Sequence, residues 1–202
     1  MDEKLNALTH GIGLLLTLIG TPILIIESIR LGNVMVSMAV GLFCISMICM
    51  YFSSTYYHLA INYQLKKLWH KIDHVSIFAL IGGTYTPFIF IYYSGKNGWT
   101  FLAVLWSIIV MGMIFKIVKT EKYRFVSALL YLILGWLIVV IYKPVTSEMA
   151  DHVLYLLLFG GLSYSVGVIF YLWRRIKFHH AIWHIFVIGG TLGHFLSIYY
   201  SM

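Results

Sequence analysis

The sequence predicts an all-α integral membrane bundle of seven transmembrane helices, with the N-terminus cytoplasmic and the C-terminus outside. Hydrophobic residues make up 61% of the chain and charged ones only 10%, far below the roughly one quarter of an ordinary soluble domain. Apolar runs recur along the whole length, each reaching the about 20 residues that a spanning helix needs. Lys and Arg fall in short clusters between those runs, where they set topology and meet anionic lipid rather than nucleic acid.

The runs lie at roughly 10–29, 33–57, 73–93, 99–118, 124–142, 152–173 and 180–201. No signal-peptide pattern precedes the first, so it is expected to remain as a membrane helix, bent at Pro22 unless neighbouring groups satisfy the freed carbonyl. Leu31-Gly32-Asn33 supplies the turn into the second run. That run holds Cys44 and Cys49, whose spacing suits neither a disulfide nor a metal motif, so both read as packing residues. The third run contains Pro87 and ends at the turn Ser94-Gly95-Lys96-Asn97-Gly98. The fourth and fifth are joined by a basic stretch, and the fifth closes at the expected loop Lys143-Pro144-Val145-Thr146-Ser147. The sixth leads through Arg174, Arg175 and Lys177 into the seventh. A single domain over 1–202 is expected, and no internal repeat supports a transporter of inverted halves.

Orientation follows from the basic residues. Of 14 Lys and Arg, one side takes Lys4, Lys66, Lys67, Lys71, Lys116, Lys119, Lys122, Arg124, Arg174, Arg175 and Lys177. The other takes only Arg30, Lys96 and Lys143. The richer side is assigned to the cytoplasm.

The chemistry concentrates on that side. His180 and His184 stand one helical turn apart at the mouth of the last run, a spacing at which two imidazoles reach one metal ion. Ser54 and His58 share a face near the exit of the second run, and Asp73 lies at the entry of the third. Alternation of the spans brings all of these to one depth, together with His10. Imidazoles, a carboxylate and a water form a Zn²⁺ site of the open type. Zinc lowers the pKa of water towards about 7; Asp73 can hold or deprotonate that water, and Ser54 can orient a ligand or donate to a developing oxyanion. Blander roles stand beside these. Asp73 can pair with Lys71 or cap its helix, Ser54 can bond its own backbone, and Glu3 and Asn6 can cap or brace the first helix. His10 is open between a further ligand, a proton carrier and an interfacial residue. His70, His74, His152 and His179 are expected at the interface. His194 follows His184 by about 15 Å of helix, too far to share its ion.

Glu3-x-x-Asn6-x-x-x-His10, Ser54-x-x-x-His58 followed by Asp73, Gly82-Gly83-Thr84-Tyr85-Thr86-Pro87 and His180-x-x-x-His184 occur in this order across seven runs. With them the chain resembles the hemolysin III family, within the progestin and adiponectin receptor-like seven-helix membrane proteins. The resemblance covers nearly the whole chain. It implies His58, His180 and His184 as zinc ligands, Asp73 in contact with zinc through water, and Ser54 in support. It also implies kinship with ceramidase-like, metal-dependent lipid hydrolases.

The preferred function is therefore a zinc-dependent membrane hydrolase of a lipid amide or ester at the cytoplasmic interface. Three other readings compete: a receptor or membrane-homeostasis sensor with structural zinc, a pore-forming cytolysin, and a cation transporter using the same histidines. The scarcity of charge along the helix interiors weighs against a wide aqueous pore.

Overall fold

The computed structural model describes residues 2–119 and 123–202. Lys122 and the side chain of Lys119, both counted above for orientation, lie outside the described residues. Helices account for nearly all of the rest, and no strand occurs among the described residues. The helices are α1 (Asp2–Arg30), α2 (Val34–Leu59), α3 (Tyr63–Tyr92), α4 (Lys96–Lys119), α5 (Arg124–Gly135), the short α6 (Tyr142–Thr146), α7 (Asp151–Leu172) and α8 (His179–Ser201). A 3₁₀ turn, Leu137–Ile141, joins α5 to α6. The continuous stretch Arg124–Thr146 makes one crossing, giving seven segments long and apolar enough to span a membrane.

Helices α1 and α3 begin well before their apolar runs, because polar residues at the interface can continue a helix once its first amides are satisfied. Asp2 and Glu3 stand in the first turn of α1, where negative charge is favoured by the helix dipole. Asn62 caps α3, accepting from the amides of Gln64 at 2.9 Å and Leu65 at 3.1 Å; Asn33 does the same for α2. Both α1 and α3 remain helical through Pro22 and Pro87.

In lipid, helices associate through close packing rather than hydrophobic expulsion, so small residues mark their contacts. A Cβ on Gly193 of α8 would meet backbone atoms of Gly160 and Leu156 of α7 at 2.9 Å. The ring of Tyr51 on α2 fills the space beside Gly13 of α1. Phe43, Met47, Phe78, Phe88, Leu105 and Ile109 are fully buried between the helices, whereas Leu15, Leu16, Ile19 and Ile23 of α1 point outward, as a lipid-facing surface requires.

The fifth span departs from expectation. Its helix breaks after Gly135, and the stretch from Lys143, expected as a loop, is helical as far as Thr146. Tyr85 of α3 compensates the break from across the bundle. Its buried hydroxyl sits 3.0 Å from the Leu134 carbonyl and 2.8 Å from that of Gly135, and accepts from the Ile138 amide at 2.8 Å. Backbone groups released inside a membrane need such partners.

Candidate metal centre

Every span delivers one end to a single polar cavity of about 450 Å³. Its lining includes Glu3 of α1, His58 of α2, Asp73 of α3, Lys116 of α4, Arg124 of α5, Tyr171 of α7 and His180 of α8. At its base His58, His180 and His184 each offer a ring nitrogen, and the three nitrogens lie within 4.8 Å of one another. The His180 and His184 rings are 4.5 Å apart between centroids, one turn along α8, and His58 approaches them at 5.1 and 5.2 Å. Phe178, at φ +60°, turns the chain sharply into α8 just before this pair.

Helix α1 orients two of the three rings. Glu3 Oε2 lies 2.7 Å from His58 Nδ1, which leaves His58 Nε2 buried without a partner. His184 Nδ1 lies 3.1 Å from the Asn6 carbonyl and 2.9 Å from the Thr9 hydroxyl. A carboxylate or carbonyl behind the inner nitrogen is the usual way to fix a ligating imidazole. Lys66 also reaches Glu3, at 3.2 Å. The contact with His58 gives Glu3 a role beyond capping, whereas Asn6 contributes only its backbone carbonyl, and Thr9 joins them without having been foreseen. The donor set fits a metal ion: three imidazoles converge, one of them presenting an orphaned buried nitrogen, and such a set suits zinc and its neighbours in the first transition row.

Asp73 and Ser54 are both buried beside the triad, with the Ser54 hydroxyl bonded to the Asp73 carboxyl. Register between α2 and α3 is held there by Ser53 and Ser76, whose hydroxyls meet at 3.1 Å while Ser76 donates to the Asp73 carbonyl at 2.7 Å. Asp73, His74, Tyr171 and His180 line the polar cavity and also a smaller one beneath it. That second space is bounded by Ser54, Met50, Leu80, Trp183 and His184. Beyond it, Ile77, Leu80, Tyr164 and Trp183 border a further apolar cavity of about 100 Å³ that runs between α3, α5, α7 and α8. The triad thus sits where a polar vestibule meets an apolar interior.

His10 is also here. Its ring stacks on His184 at 3.5 Å and 19°, contacts Tyr51 edge-on at 5.1 Å, and buries both nitrogens without a partner. His70, His74 and His179, expected at the interface, line the polar cavity, with the Nε2 atoms of His70 and His74 3.0 Å apart. His152 is exposed beside Tyr200. His194 is absent from the triad and lines the deeper apolar spaces. Lys116, Arg124 and Tyr171 were not singled out from sequence as parts of the site. A lysine inside the fourth apolar run was the available signal, since ionisable groups within spans rarely lack a task.

This architecture defines a multi-pass membrane protein of seven spans with a histidine triad able to hold a metal ion. The chain belongs to the Haemolysin-III related family, whose model matches residues 1–195. It is 42% identical over 197 residues to Hemolysin-3 of Bacillus cereus, covering 98% of this chain and 90% of that protein. Hemolysin-3 homolog of Bacillus subtilis (strain 168) is 40% identical over 197 residues, covering 98% and 92%. A more distant relative is the Monocyte to macrophage differentiation factor of Homo sapiens, 30% identical over 132 residues, 65% of this chain and 54% of that protein. No solved structure matches.

Proposed function

We propose that the chain is a zinc-dependent hydrolase that cleaves an amide or ester bond of a membrane lipid at the cytoplasmic interface. The observation that carries this reading is the convergence of His58, His180 and His184 within 4.8 Å, beside Asp73 and between a polar vestibule and apolar cavities. His58, His180 and His184 would hold the zinc, with Asp73 in contact through water. Zinc bound there supplies a Lewis acid and a water acidified to a pKa of about 7. Asp73 would accept the proton of an attacking water as the water oxygen bonds to the acyl carbon. Asp73 then passes the proton to the leaving nitrogen or oxygen as the acyl bond breaks, releasing a fatty acid and an amine or alcohol. Ser54 holds the Asp73 carboxyl in place, and the cavity beneath gives the acyl chain an apolar environment.

The test is metal content by mass spectrometry on detergent-purified protein, followed by lipid hydrolysis. About one zinc per chain is expected in the parent, and none in a folded His58→Ala, His180→Ala, His184→Ala variant. Metal without turnover on any acyl lipid would remove the hydrolase reading.

His10 favours a second reading. Its two nitrogens are orphaned, and although it stacks on His184 outside the converging triad, a turn of its ring would make it a fourth protein ligand, closing the site and making the zinc a structural brace in a receptor or membrane sensor. X-ray absorption separates the two, because four nitrogen donors mean a brace and three nitrogens with one oxygen mean an open position. The name of the Bacillus cereus relative raises a cytolysin reading, which predicts marker release from liposomes by the pure protein. The large side chains filling the bundle, among them Phe43, Tyr51, Phe78 and Phe88, weigh against it.

A further inference from the structure

We propose that the lipid received by this cavity carries an anionic head group of the phosphate class, bound by Arg124 and Arg174 at the vestibule. The inference rests on the hydrolase reading for the acyl bond presented to the triad. Its own basis is the charge lining the vestibule.

Lys116, Arg124 and Arg174 face the cavity, against the carboxylates of Glu3 and Asp73 among the described residues. Neither carboxylate answers the two arginines. Glu3 is engaged by His58 at 2.7 Å and by Lys66 at 3.2 Å. Asp73 is bonded to Ser54, and the cation acting on it is Lys116 rather than either arginine. Arg124 is held by neutral groups. Its guanidinium lies 3.9 Å over the Tyr171 ring, donates to the Tyr171 carbonyl, and keeps Nε buried with no partner. No ion pair to Arg124 or Arg174 occurs among the described residues.

A positive group kept at membrane depth calls for a negative one, and a metal ion on the triad adds to that demand. A planar guanidinium braced on an aromatic ring is pre-organised for the paired oxygens of a phosphate. Arg174 lies exposed at the rim and Arg124 is half-buried in the wall, so the two arginines lead inward from the open interface. Topogenic charge alone does not require a half-buried Arg124 with a buried, unpartnered Nε, or a fully buried Lys116. The neighbouring Arg175 is exposed and does not line the cavity, which makes it a charge-matched control.

The test uses the full zinc-loaded chain in detergent. Its probes are an N-acyl amide lipid bearing a phosphate monoester, the same lipid without the phosphate, and inorganic phosphate alone. Binding is read without turnover. The phosphorylated lipid should bind about tenfold or more tightly than its neutral counterpart. That preference should collapse in Arg124→Gln and in Arg174→Gln with zinc content unchanged, and persist in Arg175→Gln. Should Arg124→Gln fail to fold, the exposed Arg174→Gln carries the test. Equal affinity for the two lipids in the parent, a preference surviving both variants, or an equal loss in Arg175→Gln overturns the proposal. Inorganic phosphate competing as well as the phosphorylated lipid would identify the occupant as a free phosphate rather than a head group. Preserved discrimination without hydrolysis would sink the hydrolase reading and leave the anion site standing.

Discussion

Glu3 acts on the triad without touching its centre. By holding His58 Nδ1 at 2.7 Å, it fixes the tautomer that presents Nε2 to the cavity and makes that nitrogen more basic. Glu3→Gln keeps a hydrogen-bonding group but removes the charge, so metal affinity should fall about 10–100-fold while the helices stay folded. Competition against a chelator measures this, and an unchanged affinity would reduce the pair to a surface contact shared with Lys66. Asp73 has the complementary signature. In Asp73→Asn the metal should stay at the parent stoichiometry while hydrolysis falls by about 10²–10⁴, the range for losing a general base. Loss of metal in that variant would instead make Asp73 a ligand.

The broken fifth span shows how a distant side chain sets local structure. Tyr85→Phe leaves the ring packed but strips the Leu134, Gly135 and Ile138 backbone groups of their common partner. Destabilisation of about 1–3 kcal/mol is expected, read as a lower thermal midpoint in detergent with zinc content unchanged. A midpoint equal to the parent's would mean that water or a neighbouring group already serves those atoms. Little in the stretch around Gly135 and Trp136 announces the break, because it reads as uninterrupted apolar sequence and the compensating hydroxyl lies about fifty residues away. The seven crossings, by contrast, are legible in the sequence, since bilayer thickness converts run length directly into span number. Helix starts at Asp2 and Tyr63 were less so, as polar residues at the interface carry no hydropathy signal. Spacing alone put His180 and His184 on one face, and alternation put His58 at their depth. Only packing reveals that His70, His74 and His179 turn inward, or that Tyr171 and Arg124 complete the wall.

Because seven spans are an odd number, the termini lie on opposite sides, and the vestibule faces the same side as the N-terminus. Each crossing supplies one end to that vestibule, so its orientation is a property of the entire bundle. The imbalance of Lys and Arg predicts a cytoplasmic vestibule. A fluorescent protein fused after the α2–α3 connection should therefore glow, and an alkaline phosphatase fused after Met202 should be active. The reverse pattern would move the vestibule outside. It would then face a compartment with different metal supply and the leaflet poorer in anionic lipid, so a phosphate-bearing substrate would have to arrive from elsewhere. Agreement would place the arginine-lined mouth against the leaflet where anionic head groups are abundant. The basic residues that orient the chain would then include those that select its ligand, and charge removal at Arg174 should alter lipid preference without inverting topology.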